Sequence, residues 1–502
     1  MTKLQRWLVL GTVSSALFLI VVDMTILYTA LPALTHDLAA TASEKLWIVN
    51  VYSLIVAGLL PALGSLGDRF GHKRLFTLGL ITFGIASVMA AFSPTPEVLI
   101  ASRVFLAIGA AMSMPATLSI IRFTFTDDRE RSLAIGIWAS VASGGAALGP
   151  LIGGLLLEHF WWGSVFLVNV PVVLIAILLT IRFVPKQAGD RSTTWDLIGS
   201  VQILVGLVAV VFAVKELSKR DGSLLTMFIA AIIGFIAIVL FIRRQQRIQA
   251  PLIDLTLFRN VRFVTGVLTA LMSSFTLMGM QYVFTQQLQL VEGLTPLQAG
   301  LFTLSIAAAS FLSSTFIGAI INASNTLNIQ WLSLMTAGVG MGAYLFAADS
   351  SVVIQVVCLV IFGLGVGSGM TAASSSIINN APVEKAGMAS SIEEVAFELG
   401  AAIGIAILGS VASFIYTASF ILPEGISNVP ANVRDSLDEA ILSSEQLPDS
   451  TANAIITTGK EAFNQAFHAV LITGSILLIV TALTIIVLRR KLKHETSESQ
   501  YE

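Results

Sequence analysis

Long apolar runs separated by short polar breaks dominate the chain. A helix needs about 20 mostly apolar residues to cross the hydrocarbon core of a bilayer. Marking runs of that kind gives fourteen: 7–34, 45–64, 75–92, 97–121, 132–157, 163–183, 195–214, 223–242, 261–288, 296–321, 328–348, 352–378, 388–418 and 464–489. The first follows Lys3 and Arg6 and continues past Ala30. That is longer than the apolar core of about 7–15 residues in a cleaved signal, and no A-x-A site closes it, so it reads as a retained span. Between the last two runs, 419–463 is long and mixed. It opens on Pro423, Glu424 and Gly425, and two amphipathic stretches, 433–442 and 453–467, are split by Leu447, Pro448 and Asp449. This pattern predicts a helical hairpin lying over the outer face.

Composition agrees. Of 502 residues, 55% are hydrophobic and 12% charged, with mean hydropathy +0.87; a soluble domain carries about 25% charged residues. The solvent for this fold is lipid. Lysine and arginine then set the expected orientation, because they gather on the cytoplasmic side. With the N-terminus inside, 21 of the 28 fall in inner segments and 6 in outer ones, while Arg103 lies within the fourth run. Both termini are therefore expected in the cytoplasm, in the inner membrane of a bacterium.

Several classes of function drop out. A net charge of −2 offers no basic excess for a nucleic-acid partner. The one cysteine, Cys358, excludes a disulfide framework or a CxxC site, and the five histidines have no metal-ligand spacing. Gly363, Gly365, Gly367 and Gly369 mimic a nucleotide loop, but they lie inside an apolar run with no preceding strand, and no G-x(4)-G-K-[ST] segment exists. No enzyme activity, metal, cofactor or nucleotide is expected.

The chain also repeats itself. Gly145-Ala146-Ala147-Leu148-Gly149 in the fifth run returns as Gly400-Ala401-Ala402-Ile403-Gly404 in the thirteenth. Repeated halves are a common transporter plan, with the substrate path at their interface. Spans 1–6 and 9–14 thus read as two six-helix bundles, with spans 7 and 8 inserted. The expected division is 1–184, 185–260, 261–489 and a tail at 490–502.

Local motifs sharpen this reading. Gly64, Asp68, Arg69 and Gly71 lie in Gly64-Ser65-Leu66-Gly67-Asp68-Arg69-Phe70-Gly71-His72-Lys73-Arg74 after the second run, where glycines allow a tight turn and close helix approach. This resembles the G-x-L-x-D-x-x-G-x-[RK] signature of the major facilitator superfamily, a signature of conformational switching. Leu19–Thr25 with Ala30-Leu31-Pro32, Arg103 followed by Gly109, and Trp162–Phe166 with Asn169-Val170-Pro171 are similar to its fourteen-span drug:proton antiporters. So are Asp254-Leu255 and Leu257-Phe258. Gly145, Gly149, Pro150, Gly153 and Gly154 resemble the fifth-span motif typical of exporters. The resemblance covers the whole chain, and within the family it points to QacA- and SmvA-like exporters of quaternary ammonium compounds, dyes, biocides and viologens. It implies an all-α membrane protein with the major facilitator fold, working as a single chain by alternating access.

Independently of that resemblance, charge inside the spans marks chemistry. A charged side chain at the bilayer centre costs at least about 2.5–3.5 kcal/mol, so it is rarely there without use. Asp23 lies near the middle of the first run, and Glu393, Glu394 and Glu398 lie in the thirteenth. Glu394 and Glu398 are spaced i, i+4 and share a helix face about 6 Å apart, while Glu393 is turned toward a neighbouring helix. Carboxylates in a dry cavity suit a site that takes a proton and yields it to an arriving cation. Asp23, Glu394 and Glu398 are the expected proton-coupling and cation-binding groups; the alternative is that they only pair with polar neighbours. Arg103 needs a buried acid or carbonyls, and Asp23 is available. In related exporters this arginine serves proton coupling, and a purely structural pair is the other reading.

Ring faces and thioethers can line a cation pocket. Tyr28, Trp47, Tyr52, Trp138, Met278 and Tyr282 are candidates, with Asn50 and Glu393 as further contacts. Asn50 stands where relatives tend to have an acid, and the tenth run carries none. That departure favours monovalent organic cations over divalent ones. The expected partners are organic cations, protons and membrane lipids. Two other readings stay open: an exporter of one metabolite, such as an amino acid or siderophore, and a membrane sensor that does not transport. Intact glycine motifs and buried acids weigh against the sensor.

Overall fold

The computed structural model describes residues 2–186, 189, 196–218, 223–248, 251–321, 326–347, 350–382, 386–422, 429–445 and 447–498. Among them every regular element is a helix. In chain order these are α1 (Lys3–Asp37), α2 (Ala42–Phe70), α3 (His72–Ala91), α4 (Pro96–Thr124), α5 (Asp128–His159), α6 (Ser164–Leu167), α7 (Asn169–Phe183), α8 (Leu197–Ser218) and α9 (Leu224–Gln245). They continue with α10 (Val261–Gln286), α11 (Pro296–Ile320), α12 (Thr326–Ala347), α13 (Val352–Asn379), α14 (Ala386–Ser419), α15 (Leu437–Ser444) and α16 (Asp449–Glu498). Each of the fourteen apolar runs coincides with a helix, α6 and α7 together forming the sixth. Thirteen stretches among the described residues are long and apolar enough to cross a membrane. The fifth run is the 32-residue α5, part of whose side chains lie outside the described residues.

Local chemistry explains the ends. The hydroxyls of Thr2 and Thr41 each cap a helix while Gln5 and Glu44 reach back to the cap N–H, a reciprocal pair at the start of α1 and of α2. Between α2 and α3 the chain turns at Gly71 with φ +95°, a conformation that a side chain would strain. α10 closes in a π-turn over Gln287–Val291 before Gly293 at φ +70°.

The expected surface hairpin is corrected. Its first arm exists as a 3-10 turn, Ala431–Arg434, followed by the short α15. The second amphipathic stretch is no separate arm: α16 runs unbroken for 50 residues from Asp449. Pro448 ends what precedes and its carbonyl accepts from the N–H groups of Thr451 and Ala452. No helix breaker then separates this stretch from the last apolar run. Ile455, Ala462, Phe463 and Ala466 are buried, so the stretch packs inward. Pro423, Glu424 and Gly425 lie outside the described residues.

Two compact units emerge. The first comprises Met1–Arg244, Phe284–Leu304 and Ser413–Ala466; the second comprises Gln245–Val283, Ser305–Ala412 and Phe467–Glu502. In the first, α5 lies along α1 through Gly145, Gly149 and Gly153. A methyl group at Gly149 would collide with the Thr25 hydroxyl, and one at Gly153 would come within 2.8 Å of Ile26. In the second unit the repeat does the same: Gly400 and Gly404 of α14 admit the carbonyls of Leu271 and Phe275 on α10. Small residues let backbones approach closely where lipid removes the hydrophobic drive for helix association. The two glycine repeats thus solve the same packing problem at corresponding places.

The first unit also gathers helix ends from late in the chain at the end where α1 gives way to α2. Lys45 donates to Asp438 of α15 and to Gln286 of α10, and the N–H of Ala42 donates to Glu439. His36 pairs with Glu445 at 2.8 Å, and Gln289 donates to the Thr29 carbonyl. Gly154 and Gly300 let α5 and the start of α11 touch, Gly300 near the Pro150 carbonyl. α9 stands at the periphery with Leu224, Leu225, Phe228, Ile232 and Phe235 exposed, a surface suited to lipid.

Candidate buried ion-pair site

Asp23 sits on α1, fully buried at 0% exposure. Arg103 on α4, 2% exposed, donates from Nη1 to Asp23 Oδ2 at 2.7 Å. Its Nε donates to the carbonyl of Ile48 on α2 at 3.2 Å, and its guanidinium lies 4.5 Å over the Tyr52 ring. The second carboxylate oxygen is engaged too: Asn169 Nδ2 donates to Asp23 Oδ1 at 2.9 Å and, at 3.3 Å, to the Ser87 hydroxyl on α3. Arg103 of α4 and Asn169 of α7 thus hold the carboxylate directly, and through them α2 and α3 join the site. The break between α6 and α7 makes this possible, because it places Asn169 as the first residue of α7. A buried pair of this kind is costly to break from one side, about 3–5 kcal/mol, because the remaining charge is stranded.

The structure therefore joins Asp23, Arg103 and Tyr52, as their residue types allow. It adds Asn169 and Ser87, whose roles sequence reasoning missed. A lone amide between Val168 and Val170 was the available signal, since a buried amide needs partners. Nothing local identifies those partners.

The three glutamates belong to the second unit. Glu398 is 4% exposed, while Glu393 and Glu394 are partly exposed. Glu393 is hydrogen-bonded to Ser374 of α13, the turn toward a neighbouring helix that the spacing implied. On the other face of α14, Ala389, Ile392 and Ala396 pack into an apolar core with Phe263, Ala270 and Ile377. That packing fixes the rotation of α14 and turns Glu394 and Glu398 away from the core. Asp23 and these acids lie in separate units.

The remaining candidates divide. Tyr28 and Tyr282 are buried, and Met278 is half-buried. Asn50 is wholly buried, and neither amide atom has a hydrogen-bond partner among the described residues. Trp138 donates to Thr117 at 3.0 Å, which gives it a packing role. Trp47 already holds a cation: Lys215 Nζ lies 4.2 Å over its ring. Beside it, α2, α8 and α9 enclose a crevice of about 540 Å³ lined by Trp47, Leu204, Phe212 and Ile229 among others. It presents no ionisable group, so it offers a cation no countercharge. Of the motif residues, Gly64 faces Pro115 and Arg69 lies over the Phe70 ring; the side chain of Asp68 is outside the described residues.

The comparisons with known proteins follow the same lines. The profile of the Major Facilitator Superfamily matches residues 13–405. The chain is 39% identical to the methyl viologen resistance protein SmvA of Salmonella typhimurium, over 95% of this chain and 97% of that one. It is 36% identical to the multidrug efflux pump LfrA of Mycolicibacterium smegmatis, over 96% of each. Among solved structures it resembles a bacterial homologue of the human lysosomal transporter Spinster in an inward-facing, unoccupied conformation. There the TM-score is 0.65 at 16% identity, over 97% of this chain and 98% of that one.

Proposed function

The chain belongs to the major facilitator superfamily, and we propose that it exports lipophilic organic cations from a bacterial cell in exchange for protons. One observation carries the proposal: Asp23 is buried in a membrane-spanning helix with both oxygens hydrogen-bonded. Such a group is expensive to keep in a membrane unless it is used. The names of the relatives, one a viologen resistance protein and one a multidrug pump, support the substrate class. The excess of lysine and arginine in the expected inner segments supports termini in the cytoplasm.

In this reading the chain alternates between a state open to the cytoplasm and a state open to the outside. A cation arriving from the cytoplasm or inner leaflet is neutralised by Glu394 and Glu398, which surrender protons. The contacts of α15 with α1 and α2 form the outer closure. When they open, protons from outside reload the acids, Asp23 among them, and the cation leaves. Arg103 holds the Asp23 charge when the proton is absent.

Ethidium or tetraphenylphosphonium uptake into everted vesicles tests this. Uptake should collapse when the proton gradient is dissipated, and Glu398→Gln should abolish it. Transport that persists without the gradient defeats the coupling. Because Asn50 replaces an acid, monovalent cations should be moved better than methyl viologen. A resistance panel in which no cation is protected would favour an exporter of a single metabolite.

A further inference from the structure

We propose that Asn169 is a positioning residue of the proton site: a rotatable amide that gives Asp23 a hydrogen bond in either of its charge states. The proposal rests on the proton-coupled reading above. Its first ground is geometry. Asn169 Nδ2 lies 2.9 Å from Asp23 Oδ1 and 3.3 Å from Ser87 Oγ, and both of those atoms can accept. An ionised carboxylate accepts only, so Nδ2 must face it.

The second ground is the other end of the same amide. Asn169 is wholly buried, and its Oδ1 has no hydrogen-bond partner among the described residues. Nothing on that side holds the amide, so Asp23 and Ser87 alone decide which way it faces. The terminal torsion of asparagine is broad and roughly two-fold, so half a turn exchanges oxygen and nitrogen with little change of shape. When a proton adds to Asp23 Oδ1, that oxygen becomes a donor. A turned amide then presents Oδ1 to accept from Asp23 Oδ1–H and from the Ser87 hydroxyl. Arg103 keeps its bond to Oδ2 throughout. The carboxyl group gains or loses its proton without leaving its place on Arg103, which keeps the site in register through the cycle.

Among the described residues Arg103 of α4 is the charged group that meets Asp23, and Tyr52 of α2 lies beneath it. α5, packed along α1, has its ionisable residues only near its ends, from Asp128 to Arg131 and at Glu158 and His159. α7 carries only Arg182, at its far end, and α6 carries none. Lys45 of α2 and the acids Asp438 and Glu439 of α15 meet beyond the end of α1.

The test compares Asn169→Leu, Asn169→Asp and Ser87→Ala in the full-length transporter, using proton-driven tetraphenylphosphonium transport in proteoliposomes from pH 5.5 to 8.5. In Asn169→Leu both charge states lose a hydrogen bond, and the ionised carboxylate loses the stronger one. The pH dependence should move in the alkaline direction by about one unit, the difference between a hydrogen bond to a charged group and one to a neutral group. Maximal turnover should fall about tenfold while KM for the cation stays within about twofold, since Asn169 does not touch substrate. Ser87→Ala should shift the profile less. If Asn169→Leu does not fold, Asn169→Asp serves: it keeps the shape, puts a second acid on Asp23, and should uncouple transport. A wild-type pH profile in the folded variants overturns the role of Asn169. Asp23→Asn is the control that separates the two proposals. Full gradient-driven transport by Asp23→Asn defeats proton coupling through Asp23; loss in Asp23→Asn with unmoved Asn169 variants defeats only the present inference.

Discussion

At the scale of the residue, the buried arginine asks whether it serves chemistry or architecture. Its bonds to Asp23 and to the Ile48 carbonyl satisfy it as a structural group, and a buried pair is weak evidence for net stability. Replacing both partners by apolar groups is often neutral, whereas removing one is not. Arg103→Ala should therefore destabilise the detergent-purified protein by about 3–5 kcal/mol, seen as a lowered Tm, because Asp23 is stranded. The pair Arg103→Met with Asp23→Leu should recover most of that loss. Transport separates the readings: a structural pair predicts that the stable double variant still pumps, and a coupling pair predicts that it binds cations without gradient-driven export. Asp23 was visible in the sequence as an acid within an apolar run. Its contact to Asn169, and the further link from that amide to Ser87, were not, because the three residues are distant in sequence.

At the scale of the element, α15 is the informative helix. It is short, starts on the Ser436 hydroxyl, and buries Asp438 and Glu439 against Lys45 and the N-terminus of α2. Burial raises the Glu439 carboxyl above its ordinary range, with Asp435 and Asp438 adding to the rise, against the pull of the Ala42 N–H and Lys45. A raised carboxyl binds its proton more tightly docked than released. Its contribution to docking is therefore full below the ordinary value of about 4.3 and is lost as pH rises through the raised one. Hydrogen exchange over 437–444, corrected for intrinsic rates, should show stronger protection at pH 4.5 than at 7.5. Glu439→Gln should flatten that difference, and Lys45→Met should weaken protection at both. Sequence pattern found this amphipathic stretch but misplaced its partner arm. Amphipathicity records that a face is covered, not whether the covering helix is separate or continues into a span.

At the scale of the whole molecule, the glycine seams tie motif to architecture. Gly149 meets Thr25 of α1, whose hydroxyl is held by the carbonyls of Val21 and Val22, so it cannot yield without losing those bonds. Gly149→Ala should lower both Tm and transport, and adding Thr25→Ala should restore much of each by removing the obstructing hydroxyl. Gly404→Ala should resist any such rescue, since its obstacle is the Phe275 backbone carbonyl. An equal rescue in both halves would refute the close-contact explanation.

What the sequence determined by itself is what depends on solvent and on local spacing. Apolar length specified a helix at each of fourteen places, thirteen of them long and apolar enough to cross a membrane among the described residues, because lipid leaves the backbone no partner but itself. The glycine repeat foretold a seam, and of the acids in apolar runs Asp23 and Glu398 are buried. What only the tertiary structure decided is who meets whom. Asp23 acquires Arg103, Asn169 and, through that amide, Ser87 because helix packing brings α1, α4, α7 and α3 together, and helical periodicity states a face but never its neighbour. The same limit separated Asp23 in one unit from Glu394 and Glu398 in the other, residues the sequence grouped only by their chemistry.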